Sequence, residues 1–241
     1  MKFKLEVIGF TLQGCIAAQH AGAHRIELCD NPEEGGTTPS YGFIKIARKN
    51  LTVDLYPIIR PRGGDFLYNT AEFEMMIADI KICKELGCDG VVLGMLNADG
   101  SVDKERCNRL VQLAYPMSVT FHRAFDRVAD TAQALEDIIE IGCERILTSG
   151  GVPHALDGVA TIASFIKQAN SRIIIMPGSG IRSDNIFQIS KQTGATEFHT
   201  AARNFTKSKM EYINPGMNEN LQPVTVDEEE LQKIIEALRL C

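Results

Sequence analysis

The ionisable residues of this chain gather where its apolar runs stop. The β-rich run Ser118-Val119-Thr120-Phe121 ends in His122 and Arg123, with Asp126 three residues further on. A second run, residues 55–60, closes on Arg60 and continues Pro61-Arg62-Gly63-Gly64-Asp65. Strands that end in charge mark the working rim of an α/β protein, because the loops after the strands carry its function. Side chains alternate along a strand, so Glu27 and Cys29 share a face, as do Ile58 and Arg60, Thr120 and His122, and Glu197 and His199. If those faces point inward, Glu27, Arg60, His122 and His199 converge on one mouth, with Glu6 lower in the same lumen. A buried carboxylate there must be paired or neutral. Arg60, Arg62 and Arg123 are the expected partners. A structural ion network that merely closes the fold would give the same pattern and is the blander alternative.

Two chemistries suit these residue types. In the first, His122 acts as general acid or base near neutral pH, oriented by Glu27 or Asp126. Arg60, Arg62 and Arg123 then hold the acidic groups of a small ligand. Two glycine-rich turns extend that anion site: Ser149, Gly150 and Gly151 after one strand, and Gly178, Ser179 and Gly180 after the next. Backbone N–H groups in such turns can approach a phosphate, although tight turns without a ligand look the same. In the second chemistry, Cys29, His122 and His199 are metal ligands, with Glu27 as an oxygen donor. Two histidines and a carboxylate suit Zn, Fe(II) or Cu(II) better than Cu(I). His20, His24 and His154 fall on helices or lower loops and read as structural. Gly35-Gly36-Thr37-Thr38-Pro39-Ser40 is a further rim loop, in which Thr38 or Ser40 can cap the next helix.

A repeat positions these groups. Four segments close a helical pattern with glycine, add a small residue and enter a strand; their glycines are Gly22, Gly87, Gly142 and Gly194. A left-handed glycine is a common helix terminator. The intervals are 65, 55 and 52 residues, each long enough for two βα units of about 30 residues. Four repeats therefore imply eight units. The strands are expected at 5–9, 25–29, 55–60, 90–94, 118–122, 145–149, 172–177 and 196–201. The helices are expected at 11–21, 40–50, 70–86, 103–113, 130–141, 155–169 and 182–192. Most strands are continuous apolar runs, the mark of a parallel sheet covered on both faces. The expected fold is α/β: a (β/α)8 TIM-type barrel over 1–205, with an open doubly wound sheet as the alternative. Residues 206–226 are polar and read as a long, partly mobile loop. A last helix starts near Asp227, whose acidic first turn suits the helix dipole. Residues 206–241 are expected to pack on the same domain.

Composition narrows the partners. The 241 residues carry a formal charge of −6 with acids and bases intermixed, which argues against a nucleic-acid binder. No apolar run approaches the roughly 20 residues of a membrane helix, and the N-terminus does not read as a signal peptide. Seven cysteines, an odd number without CxxC spacing, read as reduced thiols in a cytoplasmic protein. The expected partner is a small anionic ligand or a metal ion. A homo-oligomer stays open, since the tail after residue 205 can cover its own barrel or a neighbouring subunit.

The blocks Ile26-Glu27-Leu28-Cys29, Glu34-Gly35-Gly36-Thr37-Thr38-Pro39-Ser40, Ile59-Arg60-Pro61-Arg62-Gly63-Gly64-Asp65-Phe66, Thr120-Phe121-His122-Arg123-Ala124-Phe125-Asp126, Arg145-Ile146-Leu147-Thr148-Ser149-Gly150 and Glu197-Phe198-His199 occur in that order. Together they resemble the CutC copper-homeostasis family over about residues 5–205. The resemblance implies a cytosolic TIM barrel with copper as cofactor or cargo. It names no reaction, so an enzyme acting on a small anionic metabolite, phosphorylated ones included, remains the alternative. The chain departs from the pattern at Ile8, where members often carry cysteine. Cys29 then lacks a thiol neighbour from the first strand, which weakens the case for Cu(I).

Overall fold

The computed structural model describes residues 3–240. Eight strands alternate with helices: β1 Lys4–Gly9, β2 Arg25–Leu28, β3 Asp54–Pro57, β4 Gly90–Leu93, β5 Ser118–Phe121, β6 Arg145–Thr148, β7 Ile174–Pro177 and β8 Glu197–Thr200. They pair in parallel in two runs, β3-β2-β1-β8 and β4-β5-β6-β7. A parallel bridge from Ile58 to Val92 joins β3 to β4, and β7 lies beside β8, so the eight strands close into a (β/α)8 barrel. The intervening helices are α1 Leu12–Ala21, α2 Tyr41–Asn50, α3 Thr70–Glu85, α4 Lys104–Ala114, α5 Thr131–Ile141, α6 Val159–Ala169 and α7 Ile186–Thr193.

Local chemistry sets the boundaries. Thr11, Ser40 and Asp130 accept backbone N–H bonds at their helix starts, and Asn69 with Glu72 forms a capping box. Thr38, the other candidate cap, instead takes the Arg60 N–H on its hydroxyl at 2.9 Å. Helices α6 and α7 begin four residues later than expected. Their leading residues form turns, with Gly158 N–H on the Ala155 carbonyl and Asn185 N–H on the Arg182 carbonyl. The stretch expected as one long loop, 206–226, instead ends in a strand, β10 Val224–Val226, which pairs antiparallel with β9 Arg203–Phe205 just before it. Residues 206–222 between them are mostly exposed. The final helix α8, Glu228–Arg239, buries Leu231, Ile234, Ile235 and Leu238 against the side of the barrel beside α1 and α7.

The outward faces of the strands, such as Val7, Ile26, Leu55, Val91 and Phe198, pack under the helices and make the main apolar core. Inside the barrel the lower layer is ionic. Arg25 Nε donates to Glu6 at 2.7 Å and Arg25 Nη1 to Glu197 at 2.9 Å. Arg145 Nε donates to the same Glu197 oxygen at 3.1 Å. Both guanidinium groups stack on Tyr56, at 5.0 and 5.4 Å from its ring centre, and both arginines are 1 % exposed. Glu6 is therefore paired with Arg25 and His199, and not with the rim arginines Arg60, Arg62 or Arg123. Arg25 shares a strand face with Glu27 and Cys29, so alternation applied to the start of that strand already pointed inward.

Four charges held this way are stable only as a set, because removing one partner leaves another buried and unpaired. Arg25→Met is expected to cost about 3–5 kcal/mol, read as the shift in urea unfolding midpoint. A loss below about 1 kcal/mol would show that the network contributes little.

Candidate functional site

The floor of the barrel mouth is built where β1, β2 and β8 run side by side. Parallel register sets Glu6 beside His199 and Ile8 beside Glu27. His199 stands between two carboxylates. Its Nδ1 lies 2.7 Å from Glu6 Oε1, and its Nε2 lies 3.8 Å from Glu27 Oε2. The first distance is a hydrogen bond. The second is too long for one, yet short enough for both atoms to hold a single third atom. One donor atom from each of Glu6, Glu27 and His199 falls within 4.8 Å of the others. All three residues are buried.

The surroundings give the two carboxylates opposite characters. Burial raises the Glu6 pKa, but Arg25 and the His199 hydrogen bond outweigh it and hold the group at about 2. Glu27 has no such cation in contact, and burial lifts it to about 7 against the pull of His199. Burial lowers the His199 pKa, but the two carboxylates more than offset that and leave it raised. Burial, and after it the charges of Glu27 and Glu6, push the Cys29 thiol well above its ordinary range. It sits with Ile8, Tyr56, Ile58 and Val92 in a small apolar cluster, of which Ile8 and Ile58 reach the pocket described below.

The opposite wall belongs to β3 and β5. His122 follows β5 and packs against Gly94, where any Cβ would lie 2.6 Å from Nδ1. Glycine is required there by space. Nδ1 accepts the Ala124 N–H at 3.2 Å, so the neutral ring carries its proton on Nε2. Burial, then the charge of Arg60, push His122 down to about 3. It is thus a neutral donor at physiological pH, and an imidazole in that state does not readily act as a base. Its Nε2 is buried without a partner among the described residues, as is Nε of Arg60. The terminal nitrogens of Arg60 are taken by carbonyls: Glu34 at 2.6 Å, Gly36 at 2.7 Å and Gly64 at 2.9 Å. Arg60 therefore pins two rim loops together and cannot offer its fork to an anion. Its guanidinium stacks on Phe66, whose ring also contacts His122.

Between floor and wall opens a pocket of about 790 Å³. Glu27, Arg60, His122, Arg123 and His199 all line it, so the structure brings these five residues to one mouth. The others lie elsewhere. Arg62 turns away to Glu72 at 2.6 Å and Asp65 at 2.9 Å. Asp126 does not approach His122. Its Oδ1 accepts the Ser149 N–H at 3.1 Å, the Gly151 N–H at 3.0 Å and the Thr148 hydroxyl at 2.5 Å, while Arg123 donates to Oδ2 at 2.8 Å. The amide cradle expected of Ser149, Gly150 and Gly151 is therefore filled by the chain's own carboxylate, and Gly150 N–H goes to the Thr148 hydroxyl. In the next turn the Gly178 N–H is used by the Thr148 carbonyl, and the Ser179 hydroxyl by the Pro153 carbonyl. A Cβ on Gly178 would meet Leu147 at 2.4 Å and His199 at 3.3 Å. That glycine makes room for the floor. Gly180 has φ +74° and backs onto His154, away from the mouth. Of the expected metal set, His199 and the oxygen donor Glu27 belong to the close cluster, which Glu6 completes, while Cys29 and His122 lie outside it.

No helix among the described residues is long and apolar enough to cross a membrane. The profile of the CutC family matches residues 3–204. A family protein CutC of Chromobacterium violaceum is 51% identical over 213 residues, 88% of this chain and 86% of the relative. The human copper homeostasis protein cutC homolog is 46% identical over 215 residues, 89% of this chain and 79% of its own. The CutC crystal structure from Streptococcus agalactiae superposes with a TM-score of 0.79 at 34% identity, covering 82% of this chain and 98% of that one.

The raised Glu27 makes a pH prediction for the metal-free protein. Between its ordinary 4.5 and about 7 the unfolded chain ionises this group while the folded chain keeps the proton. Stability therefore falls as pH rises through that window. Glu27→Gln cannot ionise, so it should gain about 1–3 kcal/mol on the wild type between pH 5 and pH 8. Paired urea titrations at the two pH values would detect this, and an unchanged difference would show that Glu27 titrates normally.

Proposed function

The chain belongs to the CutC family, and from that premise we propose that it takes part in copper homeostasis by holding a divalent metal ion at Glu27 and His199. The observation that carries this is the 3.8 Å gap between Glu27 Oε2 and His199 Nε2, with the far ring nitrogen anchored on Glu6. A carboxylate that takes the second N–H of a histidine fixes its tautomer and directs the other lone pair, an arrangement common behind metal-bound imidazoles. Here Glu6 does this for His199. The lone pair faces Glu27.

The donor set decides which ion fits. Cu(I) prefers thiolates and thioethers. The Cys29 sulfur belongs to a buried thiol held protonated, and Ile8 lies where a second thiol would be needed. Cu(I) therefore does not fit this floor. Oxygen and imidazole donors suit Cu(II), Zn(II) or Fe(II), and among such ions Cu(II) binds most tightly to a given site. When bound, the metal would supply a positive centre facing the mouth. Glu27 and His199 would hold it, and Glu6 would keep the imidazole oriented. The six free, buried cysteines among the described residues support a reducing, cytoplasmic setting for the protein.

A second reading is favoured by the size of the mouth. An ion alone needs no pocket of about 790 Å³, a volume typical of small-molecule sites. In that reading the protein is an enzyme acting on a small anionic metabolite. His122 then serves as a hydrogen-bond donor to the ligand rather than as the general base, since it stays neutral and keeps its Nε2 proton.

Calorimetric titration of chelator-treated protein with Cu(II) and Zn(II) separates the candidate ligands. His199→Ala and Glu27→Gln should each weaken binding at least tenfold, Glu6→Gln by about 10–100-fold through loss of orientation, and Cys29→Ala hardly at all. Affinity unchanged in both His199→Ala and Glu27→Gln would end the metal reading.

A further inference from the structure

We propose that the β3–β5 wall of the mouth is a seat for the carboxylate group of a small metabolite, received by the Nε2 proton of His122 beside the charge of Arg60. The inference rests on the small-molecule reading and supplies its ligand class. Both residues are at least nine-tenths buried, both line the pocket, and each carries a buried N–H without a partner among the described residues. Leaving a buried donor unpaired is unfavourable, and two such donors on one wall are costly unless something arrives to accept from them. The tautomer is set from behind, because Ala124 N–H takes Nδ1 and the ring must donate through Nε2. The required partner is therefore an acceptor.

Charge narrows the acceptor further. Arg123 and Arg127 stand on the same side of the mouth, and Arg127 makes no ion pair among the described residues. They favour an anion. Glu33, Glu34 and Asp65 also stand on the rim, and Glu27 lies on the floor. The place where a phosphate would find an array of backbone N–H groups, the turn at 149–151, is already closed by Asp126. A carboxylate is satisfied by few donors, and this wall holds two, His122 Nε2 and Arg60 Nε.

The test uses metal-free, uniformly 15N-labelled protein, with malonate as the carboxylate probe and inorganic phosphate as the competing arm. Long-range 1H–15N spectra follow the ring nitrogens of His122, assigned through their loss in His122→Gln. Malonate is expected to shift the His122 Nε2 signal saturably, with little effect on His199. Affinity should fall about tenfold in His122→Phe, the loss of one hydrogen bond to a charged group, and a few-fold in Arg127→Ala, whose exposed position keeps the fold intact. Saturation by phosphate but not malonate would overturn the carboxylate assignment. So would a His122 signal unmoved by malonate, or malonate affinity unchanged in both His122→Phe and Arg127→Ala. If carboxylates fail while neutral metabolites raise the melting temperature, only the carboxylate seat falls and the small-molecule reading survives. The metal titration reads the opposite side of the pocket, so the two tests fail independently.

Discussion

The ionic layer inside the barrel is the constraint on which the mouth depends. Arg25 and Arg145 bring two full positive charges into a space closed on all sides by strands, and Glu6 and Glu197 are there to meet them. Such a set is costly to desolvate and tolerates few geometries, so it ties β1, β2, β6 and β8 to one register. It also divides the work between the two oxygens of Glu6. One is held by Arg25, which leaves the other to orient His199. The reactive face of His199, and hence its relation to Glu27, is a consequence of a salt bridge one layer below.

Above that layer the mouth has two unlike sides. Glu27 and His199 form a floor of oxygen and imidazole donors that suits a cation. His122 and Arg60 form a wall of donors that suits an anion. Electrostatics keeps these roles apart. Glu27 is lifted because burial outweighs the cations near it, whereas His122 is lowered because burial and Arg60 act in the same direction. A ligand that is anionic at one end, lying over a metal at the other, would satisfy both sides. The position of the mouth at the C-terminal ends of the strands follows the general behaviour of such barrels.

The fold was legible because it rests on local periodicities. Glycines at 22, 87, 142 and 194 end helices or the turns after them, and the apolar strands between polar turns follow from side chains covered on both faces. The convergence of Glu27, Arg60, His122 and His199 was legible for the same reason, since each is set by alternation from a strand that could be recognised. The hydrogen-bond partners were not. Arg60 and Arg123 look identical in sequence, yet one is consumed by the carbonyls of two loops and the other by Asp126 and Ser149. Ser149 to Gly151 have the composition of an anion cradle, and nothing near them in sequence says that Asp126 will fill it. Arg25 was the readable miss, because it lies two residues before Glu27 on the same face.

The sequence by itself determined the number of βα units and which residues share a strand face, because a period of two along a strand and a glycine at a helix end act within a few residues. Only the tertiary structure decided what each inward charge touches. Glu6 and His199 are 193 residues apart and meet because β1 pairs with β8 when the sheet closes. A shift of one residue in that register would turn His199 away from Glu6, and the directed lone pair at the floor would be lost.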